Sequence, residues 1–165
     1  MRLIGRSTEG YATMKSIGIM VGAAVIGIGL FAGPAQAADQ SYLGVWTVRA
    51  SQRAPWAAAD EKPVESDLKA LMHKQIVFRA DRIAAPQPLN CKKPNYEIKS
   101  YAADMLFQGS LTEPAKQAAA IGFQGATIVT LETGCEGAID FHFLDQNTAM
   151  FALNNRLYRL ERKQP

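Results

Sequence analysis

The sequence predicts a mainly β domain: an antiparallel meander that closes into a small barrel, with two short helices and one disulfide. Three observations lead to this prediction. Apolar and polar residues alternate strictly over 138–144, which is the period of a strand with one buried face. Short polar turns at 145–147 and 154–155 join that strand to the two that follow it. The two cysteines, Cys91 and Cys135, are an even count that suits a single disulfide.

The first residues of the chain have the three parts of a cleavable secretory signal. A basic start precedes an apolar run over 17–32, and an A-x-A motif ending at Ala37 supplies the small residues that a signal peptidase accepts. The alternative is an uncleaved membrane anchor, but the run is short for a spanning helix and rich in glycine. We therefore expect a signal peptide over 1–37 and a single β-barrel domain over 38–165, exported to the periplasm or secreted, with no stable membrane anchor after cleavage.

Cleavage would leave a chain that is close to neutral. The whole sequence has a net charge of +3, and the first 37 residues carry three of its bases and one of its acids, so the exported part has a net charge of +1. It contains no basic cluster, which argues against nucleic acid as the main partner. Its 128 residues suit one domain with one core.

The first half of the exported part contains two predicted strands and one helix. β-Branched residues around a tryptophan predict a strand over 42–49, and the run Ile-Val-Phe predicts another over 74–80. Apolar residues at helical spacing predict a short helix over 66–72. The whole stretch 50–73 is long for a plain connection, and such insertions are often lids or binding loops. Three prolines keep regular structure brief over 83–94.

The second half is mostly strand. Period-two alternation predicts a strand over 96–101, whereas the apolar residues of 102–111 have no period. A second short helix is expected from the Thr112 cap, with a proline in its first turn, to Gly122. The remaining predicted strands are 126–132, 138–144, 149–153 and 156–161.

The tripeptide Gly44-Val45-Trp46 lies on the first strand, and the chain closes on a strand that carries arginines. This arrangement resembles the lipocalin-like (calycin) barrels. In that family the tryptophan plugs the closed end of the barrel and an arginine of the last strand packs over it. The resemblance implies that Gly44 and Trp46 form the barrel base under Arg156 or Arg159, through stacking and cation–π attraction. The alternative is an ordinary core tryptophan in another antiparallel barrel or sandwich.

Asp140 and His142 lie on the same face of one predicted strand. Such a pair can orient a histidine for base catalysis or hold a metal. The alternative, which the strict alternation favours, is a solvated outer face. No third metal ligand can be named, and there is neither a nucleophile elbow nor a glycine-rich phosphate loop. We therefore predict no catalytic residues, no metal and no cofactor.

Aromatic and thioether side chains collect in the irregular middle of the chain. They could line a ligand mouth or a partner surface, or belong to the plain core. This set is Trp56, Tyr96, Tyr101, Met105 and Phe107.

These patterns favour a small exported binding protein without catalytic activity. It would hold a small apolar ligand, or grip a protein partner through its loops, and its oligomeric state stays open. One alternative is a secreted inhibitor of a lysozyme-type wall hydrolase, acting through loop 133–137 or 84–94. The other is an enzyme that uses Asp140, His142 and a nearby acid.

Overall fold

The computed structural model describes residues 40–163, and the predicted signal peptide lies outside that range. The described chain forms one sheet of eight antiparallel strands in the order β3-β2-β1-β8-β7-β6-β5-β4. The strands are β1 (Gly44–Arg53), β2 (Gln75–Arg79), β3 (Arg82–Ala84), β4 (Glu97–Tyr101), β5 (Ile128–Glu132), β6 (Phe141–Asp145), β7 (Thr148–Leu153) and β8 (Arg156–Arg162). The helices are α1 (Glu65–Leu71) and α2 (Pro114–Ala120), and a 3₁₀ segment covers Ala103–Gly109. The predicted fold class is confirmed: the chain is mainly β, antiparallel and curled.

The sheet curls into a half-barrel, and the backbone ladder stops before it closes. β1 pairs with β2 on one side and with β8 on the other, so the first and last strands are neighbours, as expected. Within the described residues, β3 and β4 form the two ends of the sheet and are not paired with each other. Closure of a barrel removes both free edges, whereas here the remaining gap is bridged by other means.

A disulfide and one tyrosine tie the two ends of the sheet together. Cys91 exchanges backbone hydrogen bonds with Ile83 of β3, at 2.8 and 3.0 Å. Its sulfur is bonded to Cys135, which follows β5, so the predicted disulfide is confirmed. The hydroxyl of Tyr96, just before β4, donates to the carbonyl of Arg79 at 3.0 Å. The half-barrel is therefore held shut by side chains where the ladder ends.

Most of the concave face of the sheet is filled by its own side chains. Five aromatic residues from five strands are 2% exposed or less: Trp46, Phe78, Phe141, Phe151 and Tyr158. They meet edge to face or stacked, with ring centroids 4.9 Å apart for Phe78 and Phe141 and 5.0 Å apart for Phe151 and Tyr158. Leu71 of α1 is fully buried against the same cluster. The inside of the half-barrel is a packed core along β1, β2 and β6 to β8, whereas Ile98 on the edge strand β4 and Val129 on β5 are 37% and 44% exposed and line a second cleft.

The convex face of β5 to β8 is covered as well. The 3₁₀ segment buries Leu106 and Phe107 there, and α2 adds Ala118. These residues pack against Met150 of β7 and Leu157 of β8. The second half of the sheet is thus buried on both faces, whereas strict alternation in the sequence is typical of a strand with one solvated face.

Both helices are short and begin without a side-chain cap. The N-cap of α2 is Glu113, one residue after the expected Thr112, and Pro114 occupies its first turn. Gly122 ends this helix at φ 104°, in the left-handed region that favours glycine, as expected. Within residues 40–163, no helix is long and apolar enough to cross a membrane.

The arginine over Trp46 is Arg162, and the expectation of Arg156 or Arg159 is wrong. The guanidinium carbon of Arg162 lies 4.4 Å from the centre of the Trp46 ring. The reason is register: Trp46 pairs directly with Arg162, and a bulge in β1 brings Arg159 opposite Ala50. Arg156 lies at the other end of β8. The closing strand runs one residue further than the sequence predicts, and that residue, Arg162, covers Trp46 at the base of the half-barrel.

The base of the half-barrel also uses Gly44 and three backbone carbonyls. Gly44 has a φ of 126°, and a Cβ added there would lie 3.4 Å from Nη1 of Arg162. The guanidinium of Arg162 donates to the carbonyls of Leu43 at 2.8 Å and Gln146 at 3.1 Å, and also to that of Ser41. Arg162 therefore joins the start of β1, the β6–β7 turn and Trp46.

Replacing this arginine should cost more than replacing its neighbour on the same strand. Arg162→Gln is expected to lower the free energy of unfolding by about 1–3 kcal/mol, because three backbone carbonyls lose a charged donor and the Trp46 ring loses its cation. Arg159 is exposed and lies 3.9 Å from Glu161, so Arg159→Gln should change stability by less than about 0.5 kcal/mol. Urea denaturation of the two variants measures the difference. Equal losses would contradict the role given to Arg162.

Candidate functional site

The loops at one end of the half-barrel converge on an open cleft of about 310 Å³. The segments that follow β1, β3, β5 and β7 reach this end, and the 3₁₀ segment lies beside them. We call this cleft the rim groove. The residues of its lining that matter below are Trp56, Phe107, Gln108, Asp140, Asn154 and Asn155.

Trp56 is held in the groove by the turn between β7 and β8. Its indole Nε1 donates to Oδ1 of Asn155 at 3.0 Å, and its ring packs against Phe107 with centroids 5.3 Å apart. Asn154 and Asn155 have φ values of 46° and 57°, which is the left-handed pair that a tight hairpin turn requires. The Asn-Asn turn thus both closes the hairpin and orients the indole.

His142 fastens the 3₁₀ segment to the sheet. Phe107 has a left-handed φ of 49°, and its backbone N–H donates to Nε2 of His142 at 3.2 Å. His142 points to the outer side of β6, as expected, yet it is only 2% exposed because the 3₁₀ segment covers it. The interpretation of a solvated outer face is therefore wrong at this residue.

The hydrogen bonds of His142 define its protonation state. Since Nε2 accepts from Phe107, the ring proton lies on Nδ1, which donates to Oγ1 of Thr130 at 2.8 Å. Burial lowers the pKa of His142 to about 4, so the ring is neutral at pH 7. Both nitrogens are engaged. Among residues 40–163, no three His, Cys, Asp or Glu side chains gather closely enough to hold a metal ion.

Asp140 is the one acidic side chain in the lining of the groove, and it is partly buried. Burial and, second, the neighbouring Glu132 carboxylate raise the pKa of Asp140 to about 6, against a lowering by the Lys99 ammonium. Glu132 itself is bound by Lys99 at 2.6 Å and by the hydroxyl of Tyr101. No residue in 40–163 donates a hydrogen bond to the Asp140 side chain.

The structure brings together two of the five aromatic and thioether residues singled out from the sequence. Trp56 and Phe107 meet at the rim groove. Tyr96 lies at the closure of the half-barrel, and Tyr101 bonds to an acid on β5. Met105 is 54% exposed on the 3₁₀ segment, outside the groove lining.

Sequence reasoning missed the polar half of the groove. The sequence predicts Asn154 and Asn155 only as turn formers, and it does not single out Gln108 because the segment around it has no period. A signal was present, since two asparagines at a hairpin tip are strong hydrogen-bonding groups beyond what the turn needs.

Comparisons of this chain with protein-family models, with curated proteins and with solved structures find no match. The site is therefore argued from its own geometry.

The buried imidazole makes a pH-dependent contribution to stability. Its pKa is about 4 in the fold against an ordinary 6.5, so the unfolded chain takes up the proton first as the pH falls. The stability is present above pH 6.5 and is lost towards pH 4, by about 3 kcal/mol. Gln at position 142 offers an acceptor to Phe107 and a donor to Thr130 but does not titrate.

Between pH 7 and pH 4, we therefore expect the free energy of unfolding to fall by up to about 3 kcal/mol more in the parent than in the His142→Gln variant. Asp140, whose raised pKa acts in the opposite direction, is present in both proteins, and its effect cancels in the comparison. Urea denaturation at a series of pH values measures the two profiles. Parallel profiles would show that the histidine is not buried as a neutral ring.

Proposed function

We propose that this is an exported binding protein that grips its target through the rim groove and the loops around it, without catalysis. One observation carries the proposal: the aromatic core of the half-barrel is packed, while loops from separate parts of the chain meet around an open cleft with a fixed indole. Loops on a rigid scaffold are where binding sites are usually found.

The packed interior favours the rim over an internal ligand site. Trp46, Phe151 and Tyr158 are each 0% exposed, and α1 adds Leu71 to the same core. An apolar ligand inside would have to displace these side chains, and overfilled cores are destabilised by about 1–3 kcal/mol or more. A ligand or partner at the rim displaces nothing.

The state of the polar groups supports binding rather than catalysis. The neutral ring of His142 has both nitrogens bonded, so it has no free lone pair with which to take a proton from a substrate. Glu132 is occupied by Lys99 and Tyr101. An enzyme built on Asp140 and His142 would first have to break the contact that holds Phe107 in place.

A second candidate function, inhibition of a wall hydrolase, is favoured by the disulfide. Cys91 and Cys135 join the two loops, 84–94 and 133–137, that an inhibitor would present. Gly134 at φ 61° packs so closely on Asn95 that an added Cβ would lie 3.0 Å from the Asn95 Cβ. Loops restrained in this way lose little conformational entropy when they enter a partner's cleft.

We further propose that the curled sheet is a calycin-like barrel and that the chain works outside the cytoplasm. Gly44 and Trp46 under an arginine of the last strand support the first proposal. The disulfide supports the second, because such bonds persist in oxidising compartments. N-terminal sequencing of protein recovered from the host should begin at Ala38, and a start at Met1 would refute export by this signal.

Site-directed photo-crosslinking in the host tests the binding site. A photoreactive phenylalanine replaces Gln108 in the groove or, as a matched exposed position outside it, Arg159 on β8. We expect cross-links to one partner from position 108 and none to that partner from position 159. Native mass spectrometry of the same protein detects a bound small molecule, if that is the target. Equal cross-linking from both positions would contradict a site at the rim.

A further inference from the structure

Each amide side chain of the rim groove uses one of its two N–H groups inside the protein. These bonds are Asn154 Nδ2 to Oδ2 of Asp67 at 2.6 Å, Asn155 Nδ2 to Oε1 of Glu61 at 2.8 Å, and Gln108 Nε2 to the carbonyl of Ala138 at 2.6 Å. The indole N–H of Trp56 is also used, since it donates to Asn155. The second N–H of each amide is therefore all that these side chains can still donate.

The acceptor ends are left open. No donor among residues 40–163 reaches Oδ1 of Asn154, Oε1 of Gln108 or the carboxyl group of Asp140. No lysine or arginine lies in the groove lining, and its histidine is neutral with both nitrogens engaged. A chain with more bases than acids thus has a groove that holds one carboxyl group and no positive charge.

We infer that the rim groove, taken as the binding site proposed above, receives the guanidinium or ammonium group of an arginine or lysine side chain from a protein partner. Such a cation supplies several donors, and these match the open acceptors of the groove. Its charge pairs with Asp140, and charge-assisted hydrogen bonds are the strong ones. The Trp56 ring beside it adds cation–π attraction.

A sugar suits the groove less well. Hydroxyl groups donate and accept together, so a bound sugar needs donors as well as acceptors from its site. Gln108, Asn154 and Asn155 keep only one N–H each, and a neutral sugar would leave the charge of Asp140 unpaired. An anion would lie beside the Asp140 carboxylate with no lysine or arginine in the lining to offset the repulsion.

A pair of probes that differ only in charge tests the inference. Nα-acetyl-argininamide and its neutral citrulline counterpart are titrated into the ¹⁵N-labelled mature protein, with the indole N–H signal of Trp56 as the readout. We expect the arginine probe to shift that signal and the citrulline probe to bind at least about ten-fold more weakly.

Two variants with the same change in net charge complete the design. Asp140→Asn should raise the dissociation constant of the arginine probe about ten-fold. Asp104→Asn, at an exposed position outside the groove lining, should leave it unchanged. The backbone signals of each variant report whether it is folded, so that lost binding is not confused with lost structure.

The remaining outcomes separate this inference from the proposed function. If both probes bind equally, the inference of a cation is refuted and the groove remains a binding site. The same holds if Trp56 responds to neither probe while cross-links still form from position 108. If Trp56 responds to neither probe and no cross-links form from position 108, both the cation and the binding site are refuted. A short arginine-containing peptide should bind more tightly than agmatine. Tighter binding of agmatine would make the target a small amine and refute the protein partner.

Discussion

Trp46→Ala is expected to lower the free energy of unfolding by about 3–5 kcal/mol, the range for truncating a buried large aromatic side chain. Trp46 is 0% exposed and meets Phe78 and Phe143 edge to face, at 6.5 and 5.7 Å between ring centroids. Its Nε1 donates to the carbonyl of Tyr42 at 2.9 Å. Truncation would open a cavity and leave Arg162 without the ring beneath it.

The second tryptophan provides the matched control. Trp56 is partly exposed in the loop after β1, so Trp56→Ala should cost only about 1 kcal/mol, the typical size for a single substitution. It should instead weaken binding of the target, whereas Trp46→Ala should leave affinity intact in the folded fraction. Urea denaturation and a binding assay compare the two. If Trp46→Ala unfolds like the parent, the tryptophan does not form the base of the barrel.

Removal of the disulfide is the second change with a large expected effect. Cys91 and Cys135 are 44 residues apart in sequence, and the loop-entropy relation gives about 4 kcal/mol for a loop of that size. The bond also spans the gap between the ends of the sheet, where no ladder holds β3 to β4. The double variant Cys91→Ser and Cys135→Ser should therefore lose both stability and binding, since its two loops at the rim are freed.

Alkylation provides the control for this prediction. Without reductant neither cysteine of the parent should be labelled, and after reduction in denaturant both should be. The double serine variant is then compared with the parent in urea under oxidising conditions. An unchanged midpoint would mean that the disulfide contributes nothing to the closure of the half-barrel.

The last third of the fold could be predicted because its signals are local. Alternation and tight turns specify β6, β7 and β8 within a few residues of where they lie, and the pairing of β8 with β1 follows from the need to protect an edge. The strand β3 could not be found, since three residues between prolines and a turn carry no period.

The register of β1 against β8 could not be predicted either. The register places Arg162 opposite Trp46, and one bulge between Val48 and Ala50 moves every later partner by one residue, so that Arg159 lies opposite Ala50. Bulges leave little trace in a single sequence, because they depend on how the two strands twist.

About half of the candidate site was accessible from the sequence. Trp56 and Phe107 could be selected as aromatic residues in irregular segments, but their contact needs the turn at Asn155 to hold the indole. The burial of His142 depends on a 3₁₀ segment with left-handed residues, which no periodicity indicates. Long-range contacts of this kind decide which polar groups are left free.

The most direct test of the account uses the two tryptophans as reporters, since the chain has no others. Trp46→Phe leaves only Trp56 at the rim, and Trp56→Phe leaves only Trp46 in the core. Each protein is titrated with the partner identified by cross-linking, and its emission and acrylamide quenching are recorded. The account predicts that Trp56 changes its emission and becomes protected while Trp46 stays unchanged. A response from Trp46 with none from Trp56 would place the ligand inside the half-barrel and contradict a binding site at the rim.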